Sequence, residues 1–546
     1  MPPKADGFLM SLRRLPALLG ASGLGLLVVV LAVTLGSSPA VPPTAIQSGS
    51  GPSTGAGGPV VTLPDETAPA VADPAAGLRA SRPPPGAWRG AELRRLRRSR
   101  SVAGVLRRAW LAHRIDARRL EGYRGTWARA RAAARRLRGS RGTEQRAVVA
   151  LVNGLARRRE LSSSRLGPVF LTLRRNTNYW TRRGPPRHGQ RFAFGRDPVV
   201  FRYETGQGLQ IHWLGTWGRA NGRAGFCLRR PGSCPRSVVR AEIERLAGLA
   251  SRRAGYSAYE SFYRFASGEP GWVSGMVQGT AVQALARARR AFDEPRFGLA
   301  ARRALGAFEQ APPAGVAVRD RGGRHYLMYS FAPRLRILNG GLQAVTGLHD
   351  AAMLTGSRRA RRLFRSGERA ARRGVAGFDT GAWSLYSSGG SESSLGYHRL
   401  VDGFLGDLCR RTRRTAYCGA ARRFTRYERE PTRIAFGGRR RTRLGRPAPI
   451  TFALSKRSRV LVEVRGGRGV TLRRKLELTR GRHVVRWVPR RGGRYEVRIA
   501  AQGPSGPRGT RSRSVRVTPP ARRRARQGGD EAARSKVKRR SRRARR

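Results

Sequence analysis

The sequence predicts a multidomain, mainly α protein, in which a helical toroid is preceded by a β-rich segment and followed by a β-sandwich. Three observations lead there. From 236 to 432, apolar residues recur at helical spacing, and Gly, Pro and aromatic loops interrupt them at regular intervals. From 446 to 518 the hydrophobic period switches to two, in runs such as RVLVEVRG, RHVVRWV and GRYEVRIAA. From 165 to 235, aromatic residues, Gly and Pro appear together in NTNYW, GQRFAFG and PVVFRYETGQGLQIHWLGTWG.

The chain opens with residues 1–14, which hold Lys4, Arg13 and Arg14. Leu15 to Gly36 carries no charge, includes LGLLVVVLAVTLG, and is long enough to cross a bilayer. No Lys or Arg follows until Arg79. The positive flank predicts a transmembrane anchor with 1–14 cytoplasmic and the bulk extracellular, a single-pass protein of the cell membrane. A cleaved signal peptide, with secretion, is the alternative. Residues 37–88 are rich in Pro, Gly, Ser, Thr and Ala, a composition that buries too little apolar surface to fold and reads as a disordered linker.

Residues 89–164 read as two or three amphipathic helices, with Leu93, Leu96, Val102, Val105 and Leu106 at helical spacing. In 165–235, Val199–Tyr203 and Leu209–Leu214 are short strand-like runs between turn signals. In the toroid, Leu342, Val345, Leu348 and Ala352 share one helix face, Gly356 supplies a stop, and SRRARRLFRSGERAARR opens the next helix. Residues 520–546 hold 13 Lys/Arg and 2 Asp/Glu, 13 − 2 = +11, and read as a disordered basic tail that binds anionic envelope polymer or merely stays solvated.

Charge narrows the partners. With 112 basic and 32 acidic residues the formal charge is +80, nearly all of it arginine. Such a field attracts nucleic acid, anionic lipid or acidic polysaccharide. Export separates the chain from nucleic acid, so no nucleic-acid partner is expected. Cys227 and Cys234 flank the turn-like LRRPGS, and Cys409 and Cys418 lie nine apart. An even count in an exported chain suggests two disulfides; three connectivities are open, and proximity favours these two pairs. No CxxC pair occurs, and no metal is expected.

The sequence has no G-x-S-x-G, H-E-x-x-H, P-loop or dinucleotide-binding glycine pattern. Hydrolysis of a glycoside needs two placed carboxylates. Glu204, Asp350, Asp379 and Glu392 are present, but no spacing pairs them. Tyr329, Tyr386 and Tyr397 stand out, because they sit in loop-like stretches among arginines. Cationic neighbours lower a phenol pKa. One tyrosine then removes a proton beside a carboxylate and another returns it. Arg336 is the arginine suggested here to pair with the substrate carboxylate. His212, Trp213, Trp217 and Trp272 read first as core residues.

Four segments in order resemble the D-glucuronyl C5-epimerase family: GWVSGMVQGTAVQALARA (271–288), YSFAPRLRILNGGLQAVTGLHD (329–350), DTGAWSLY (379–386) and YHRLVDGFLGDL (397–408). YETGQGLQIHWLGTWGRAN (203–221) is similar to bacterial members, and the likeness spans roughly 165–430. The resemblance implies an (α/α) toroid and an isomerase without cofactor, which inverts C5 of a uronic acid in a glycosaminoglycan-like polysaccharide. Tyr329, Tyr386 and Tyr397 match the family's catalytic tyrosines, with Tyr397 exchanging the C5 proton. Gln278, Asn339 and His398 would line the sugar site. The sequence departs from the vertebrate members at Met328, where they have an acid, and at Ser387–Gly390, where they have Arg-His. The C-terminal sandwich resembles the immunoglobulin-like additions of secreted bacterial proteins. Two other readings share these residues: a polysaccharide lyase on the same scaffold, and a non-catalytic glycan-binding envelope protein.

Overall fold

A computed structural model describes residues 60–63 and 98–519. The segments read as N-terminal anchor and basic tail lie outside the described residues. Among the described residues no helix is long and apolar enough to cross a membrane. The expected placement at the cell membrane is therefore corrected: its one support, Leu15–Gly36, is not among the described residues, and no described helix replaces it. The linker expectation also changes in part. Val60–Leu63 forms a strand, β1, parallel to β2 (Arg191–Phe194), as suits a run of β-branched residues at a sheet edge.

The chain is multidomain, mainly helical to Arg429 and β-rich from Ile434 onward. Four helices come first: α1 (Val102–Leu111), α2 (Ala117–Arg136), α3 (Gly139–Arg157) and α4 (Leu166–Arg182). Ser101 and Asp116 cap α1 and α2 by accepting from the Gly104 and Arg119 amides. Val102, Leu106, Val148, Leu155, Val169 and Phe170 form their shared core.

The stretch 165–235, expected to be β-rich, is largely helical. Its strands β2, β3 (Phe201–Glu204) and β4 (Gly208–Ile211) have four residues each, and α4 and α5 (Trp213–Arg229) flank them. The Thr, Asn and aromatic content of α4 hides its helix, because these types favour other states in isolation. Here their polar groups are satisfied. Thr172, Thr177 and Thr181 donate to carbonyls four residues back, and Asn176 bonds both the N–H and the carbonyl of Leu209 on β4. Glu144 of α3 holds the β3–β4 hairpin: its carboxylate accepts from the Tyr203 hydroxyl at 2.7 Å and from the Gly206 and Gly208 amides at 2.8 Å. The first helices thereby fix the hairpin that carries Arg202 and Glu204.

Next come α6 (Arg236–Ala247), the hairpin β5–β6 (Ser251–Arg253, Tyr256–Ala258), α7 (Gly275–Phe292), α8 (Pro295–Ala304) and the hairpin β7–β8 (Ala317–Asp320, Gly323–Tyr326). After them follow α9 (Leu338–Thr355), α10 (Arg358–Gly374), α11 (Leu395–Thr412) and α12 (Thr415–Arg429). Helix α7 packs on α5, α8 and α9, and α9 also packs on α10 and α11. At the α7–α9 crossing the backbones touch: a Cβ on Gly347 would stand 2.1 Å from the Gly279 carbonyl oxygen. Gly279, in the GMVQG stretch, thus has a packing reason to be glycine. Asp350 of α9 joins three helices, accepting from Gln283 and Arg287 of α7 and Arg411 of α11 at 2.7 to 3.1 Å. Cys227 is bonded to Cys234, and Cys409 to Cys418, which links α11 to α12.

The C-terminal region has two sheets. One runs in the order β10 (Arg441–Arg443), β16 (Gly509–Thr518), β15 (Gly493–Gln502), β12 (Ser458–Gly466), β13 (Gly469–Leu478). The other runs β14 (Gly481–Trp487), β11 (Ala448–Leu454), β9 (Ile434–Gly437). Alternating residues of both, including Phe452, Val462, Trp487, Val497 and Ile499, make one core.

Candidate active site

The loop between α10 and α11 carries Tyr386, and the first turn of α11 carries Tyr397, whose amide donates to the Ser394 cap. Tyr329 follows β8, where the Ser330 and Val273 backbones and the Ser330 hydroxyl join it to the start of α7. These elements bring the three tyrosines together. The Tyr386 and Tyr397 rings stand 4.9 Å apart, edge to face. The Tyr386 hydroxyl also shares side-chain hydrogen bonds with Tyr329 and Tyr397. All three are buried, at 8, 3 and 7 % exposure for Tyr329, Tyr386 and Tyr397.

Burial reverses the expected direction of their titration. Desolvation disfavours phenolate and pushes all three pKa values up. Tyr386 suffers most, since Tyr329 and Tyr397 add to the effect of burial. Tyr397 differs: beyond burial, its neighbours all act the other way, the Tyr386 hydroxyl by donating to it and Arg202 by its charge. Tyr397 is therefore the member of the trio best supported as a base, with Tyr386 held as a neutral donor.

Arg202 is the residue that sequence reasoning missed. It is buried on β3, donates from Nε to Glu204 at 2.6 Å, and lies within electrostatic reach of Tyr263, Tyr329 and Tyr397. Burial opposes its charge, but Glu204 outweighs burial and its pKa is raised. A signal was present: Arg and Glu two apart in a strand share a face, and a buried face holding both must pair them.

Aromatic rings wall Tyr329. Phe331 stacks on it at 5.3 Å, and Phe265 and Trp272 approach at 5.4 and 5.7 Å. Among the residues expected to bind substrate, Asn339 is fully buried with neither its amide nitrogen nor its oxygen bonded, on the turn whose Leu338 amide donates to the Tyr386 carbonyl. An unbonded buried amide costs about 1–3 kcal/mol, a cost that a ligand would remove.

The other three make bonds within the protein. The Gln278 amide is used up on the Tyr259 N–H and the Ser257 and Ala304 carbonyls. His398 donates from Nε2 to the Phe424 carbonyl, accepts at Nδ1 from Ser384, and stacks on Trp383 at 3.8 Å. Arg336 turns to Asp320 at 3.1 Å and lines a small cavity of about 40 Å³ with His325 and Ser388. Its partner is a hairpin acid that no helical or strand period would have paired with it. His212 is buried as a core residue, and burial with Arg202 and Arg191 lowers its pKa to about 3. The acids are taken singly: Glu204 by Arg202, Asp350 by Arg287 and Arg411, Asp379 by Arg423. Among the described residues no group of His, Cys, Asp and Glu is arranged to hold a metal ion.

The site thus defines a class, a protein that presents buried phenols and a guanidinium rather than paired carboxylates. Residues 252–426 match the family model of the D-glucuronyl C5-epimerase C-terminus. A D-glucuronyl C5-epimerase of Caenorhabditis elegans is 28% identical over 130 residues, which is 21% of this chain and 21% of the relative. The chain spans about a fifth of that relative's length. Cellobiose 2-epimerase from Spirochaeta thermophila is 14% identical, with 53% of this chain and 73% of that chain covered and a TM-score of 0.32, a likeness too slight to bear on fold or function.

Proposed function

We propose that this protein is a uronic-acid C5-epimerase acting on an acidic polysaccharide. The observation that carries the reading is the clustering of Tyr329, Tyr386 and Tyr397, all inside the family-matching region, around one hydroxyl, with Arg202 of the preceding β-hairpin within electrostatic reach. Tyr397, in the phenolate form that the Tyr386 hydroxyl and Arg202 favour, takes the C5 proton as the C5–H electron pair moves into the substrate carboxylate. Arg202 stabilises the enolate charge that develops. Tyr329 gives its phenolic proton to the opposite face of C5 and is left as phenolate, and Tyr386, bonded to both, lets the proton gained by Tyr397 pass back to Tyr329 before the next turnover. Asn339 bonds a sugar hydroxyl, and Phe265 and Phe331 offer faces for stacking. On this reading the helical region is the (α/α) toroid of the family, supported by helix pairs on short connections such as α7–α8 and α11–α12. Two sheets sharing one core support an immunoglobulin-like C-terminal unit.

The low exposure of the three phenols favours one rival, a glycan-binding protein without turnover. Incubation with uronic-acid polysaccharides, followed by NMR of the ring proton couplings at C5, separates the outcomes. New couplings of the inverted uronate in an uncleaved chain support epimerisation. Absorbance of an unsaturated uronate instead would make the protein a lyase. Tight binding with unchanged couplings would leave a binding protein.

A further inference from the structure

The C-terminal β region does not stand apart from the site. Its β11–β12 turn, Ser455 to Arg457, presses Lys456 into the helical region, where that side chain is 1 % exposed. Buried lysines need partners. Here Nζ donates to the Tyr427 and Glu430 carbonyls at 2.7 and 2.8 Å and lies 5.2 Å from the centre of the Trp383 ring. Trp383 in turn stacks on His398 at 3.8 Å, with the planes 9° apart. His398 adjoins Tyr397, and Trp383 lies three residues before Tyr386.

A second tie runs beside the first. The Arg457 amide donates to the Glu392 carboxylate at 2.7 Å. Glu392 is bridged to Leu385, and the Tyr386 amide donates to the Ser391 carbonyl. Arg433, just before β9, donates to the Gly381 carbonyl at 3.0 Å. The loop 379–394 is thus held at three points by the C-terminal region, and it is the loop that carries Tyr386.

We propose that Lys456 is a positioning residue for the Tyr386–Tyr397 pair, and that the C-terminal β region is a built-in brace of the active site. The order of force is turn, lysine, indole, imidazole, tyrosine. A cation over a ring face is attracted by the ring's negative potential, and the two carbonyls fix where that cation sits. A hydrophobic replacement would fill the space but leave both carbonyls unbonded and the indole free to slide. The inference rests on the epimerase reading for its kinetic consequence, not for the contact itself.

The test uses the full chain with ¹³Cζ-labelled tyrosine, the Tyr386 and Tyr397 signals being assigned by single Phe substitutions. In Lys456→Met both signals move while that of Tyr203 stays, and turnover falls roughly tenfold or more with KM little changed, as slight misplacement of reacting groups does. Lys456→Arg, which keeps a cation at the ring, restores the signals and most of the turnover. A folded Lys456→Met chain with unmoved Tyr386 and Tyr397 signals would overturn the proposal. If Lys456→Met does not fold, Glu392→Ala decides. It cuts the second tie without burying a new group, and the Tyr386 signal must move or the brace is refuted. Should the wild-type chain turn over no polysaccharide, the epimerase reading falls, while the tyrosine signals still judge the brace.

Discussion

Replacing Asp350 by Asn keeps the size of the side chain and removes one charge. In the native chain its carboxylate faces two guanidinium groups, Arg287 at 2.9 Å and Arg411 at 2.8 Å, and also accepts from Gln283 and His349. Burial alone would raise its pKa, but His349, Arg411 and Gln283 overcome burial and hold it well below the usual carboxylate range. Asparagine turns one acceptor into a donor that faces cations and leaves two arginines uncompensated. Breaking a buried ion pair from one side costs roughly 3–5 kcal/mol. Arg287 and Arg411 keep 17 and 20 % exposure, so solvent relieves part of this. The expected loss is the lower end, about 3 kcal/mol, or roughly 6–12 °C in melting midpoint.

The same group sets a pH dependence. A carboxylate with a depressed folded-state pKa stabilises fully above its unfolded value of about 3.9 and loses this as pH falls toward the folded value. Thermal melts of wild type and Asp350→Asn between pH 7 and pH 3 check both points. The gap between the two proteins should be widest at pH 7 and narrow as the medium acidifies. A gap of less than 2 °C at pH 7 would refute the reasoning, as would a gap that widens in acid.

Gly347→Ala drives a methyl group into the Gly279 carbonyl and should cost about 1–3 kcal/mol, read as an earlier denaturant midpoint. Glu144→Gln removes the charge that gathers the Tyr203 hydroxyl and two amides of the β3–β4 hairpin, with an expected loss of about 1–3 kcal/mol and faster amide exchange at Gly206 and Gly208. Arg202→Met removes the cation that opposes burial at Tyr329 and Tyr397. Their phenol titrations should move further up, and epimerisation should fall on the order of a hundredfold. Tyr386→Phe removes the hydrogen bond that lowers the Tyr397 pKa. The alkaline rise of kcat/KM should then shift to higher pH, and an unchanged profile would deny Tyr386 its role as donor.

The parts of the site legible in the sequence were those carried by residue type and local order. Three tyrosines in loop-like stretches, two of them around a Gly/Ser segment, pointed to one place, and the structure gathers them there. Their titration was not legible, because burial is a sum over distant segments, and it outweighs the nearby arginines. Arg202 lay in a four-residue strand buried on both faces, so no alternation set it apart, and only the Arg-x-Glu spacing hinted at a pair. Gln278 and His398 have the right chemistry for a sugar, yet backbone partners 14 to 26 residues away consume it. The helices at 166–182 and 213–229 were hidden by Thr, Asn, Gly and aromatic residues, types that favour other states in isolation; in the first of them the polar groups are satisfied within the helix and on β4. The β period from 446 onward was plain, since alternation there is local and the inner face is continuous from strand to strand.

The most direct test of tyrosine-mediated epimerisation is hydrogen exchange in D2O. Residues 60–519 or the full chain would be incubated with uronic-acid polysaccharides, and NMR would follow deuterium at C5, with Tyr397→Phe alongside. The expected result is deuterium at C5 of an uncleaved chain, lost in the variant. A polysaccharide that binds tightly and gains no deuterium, or one that gains it equally with Tyr397→Phe, would contradict the mechanism.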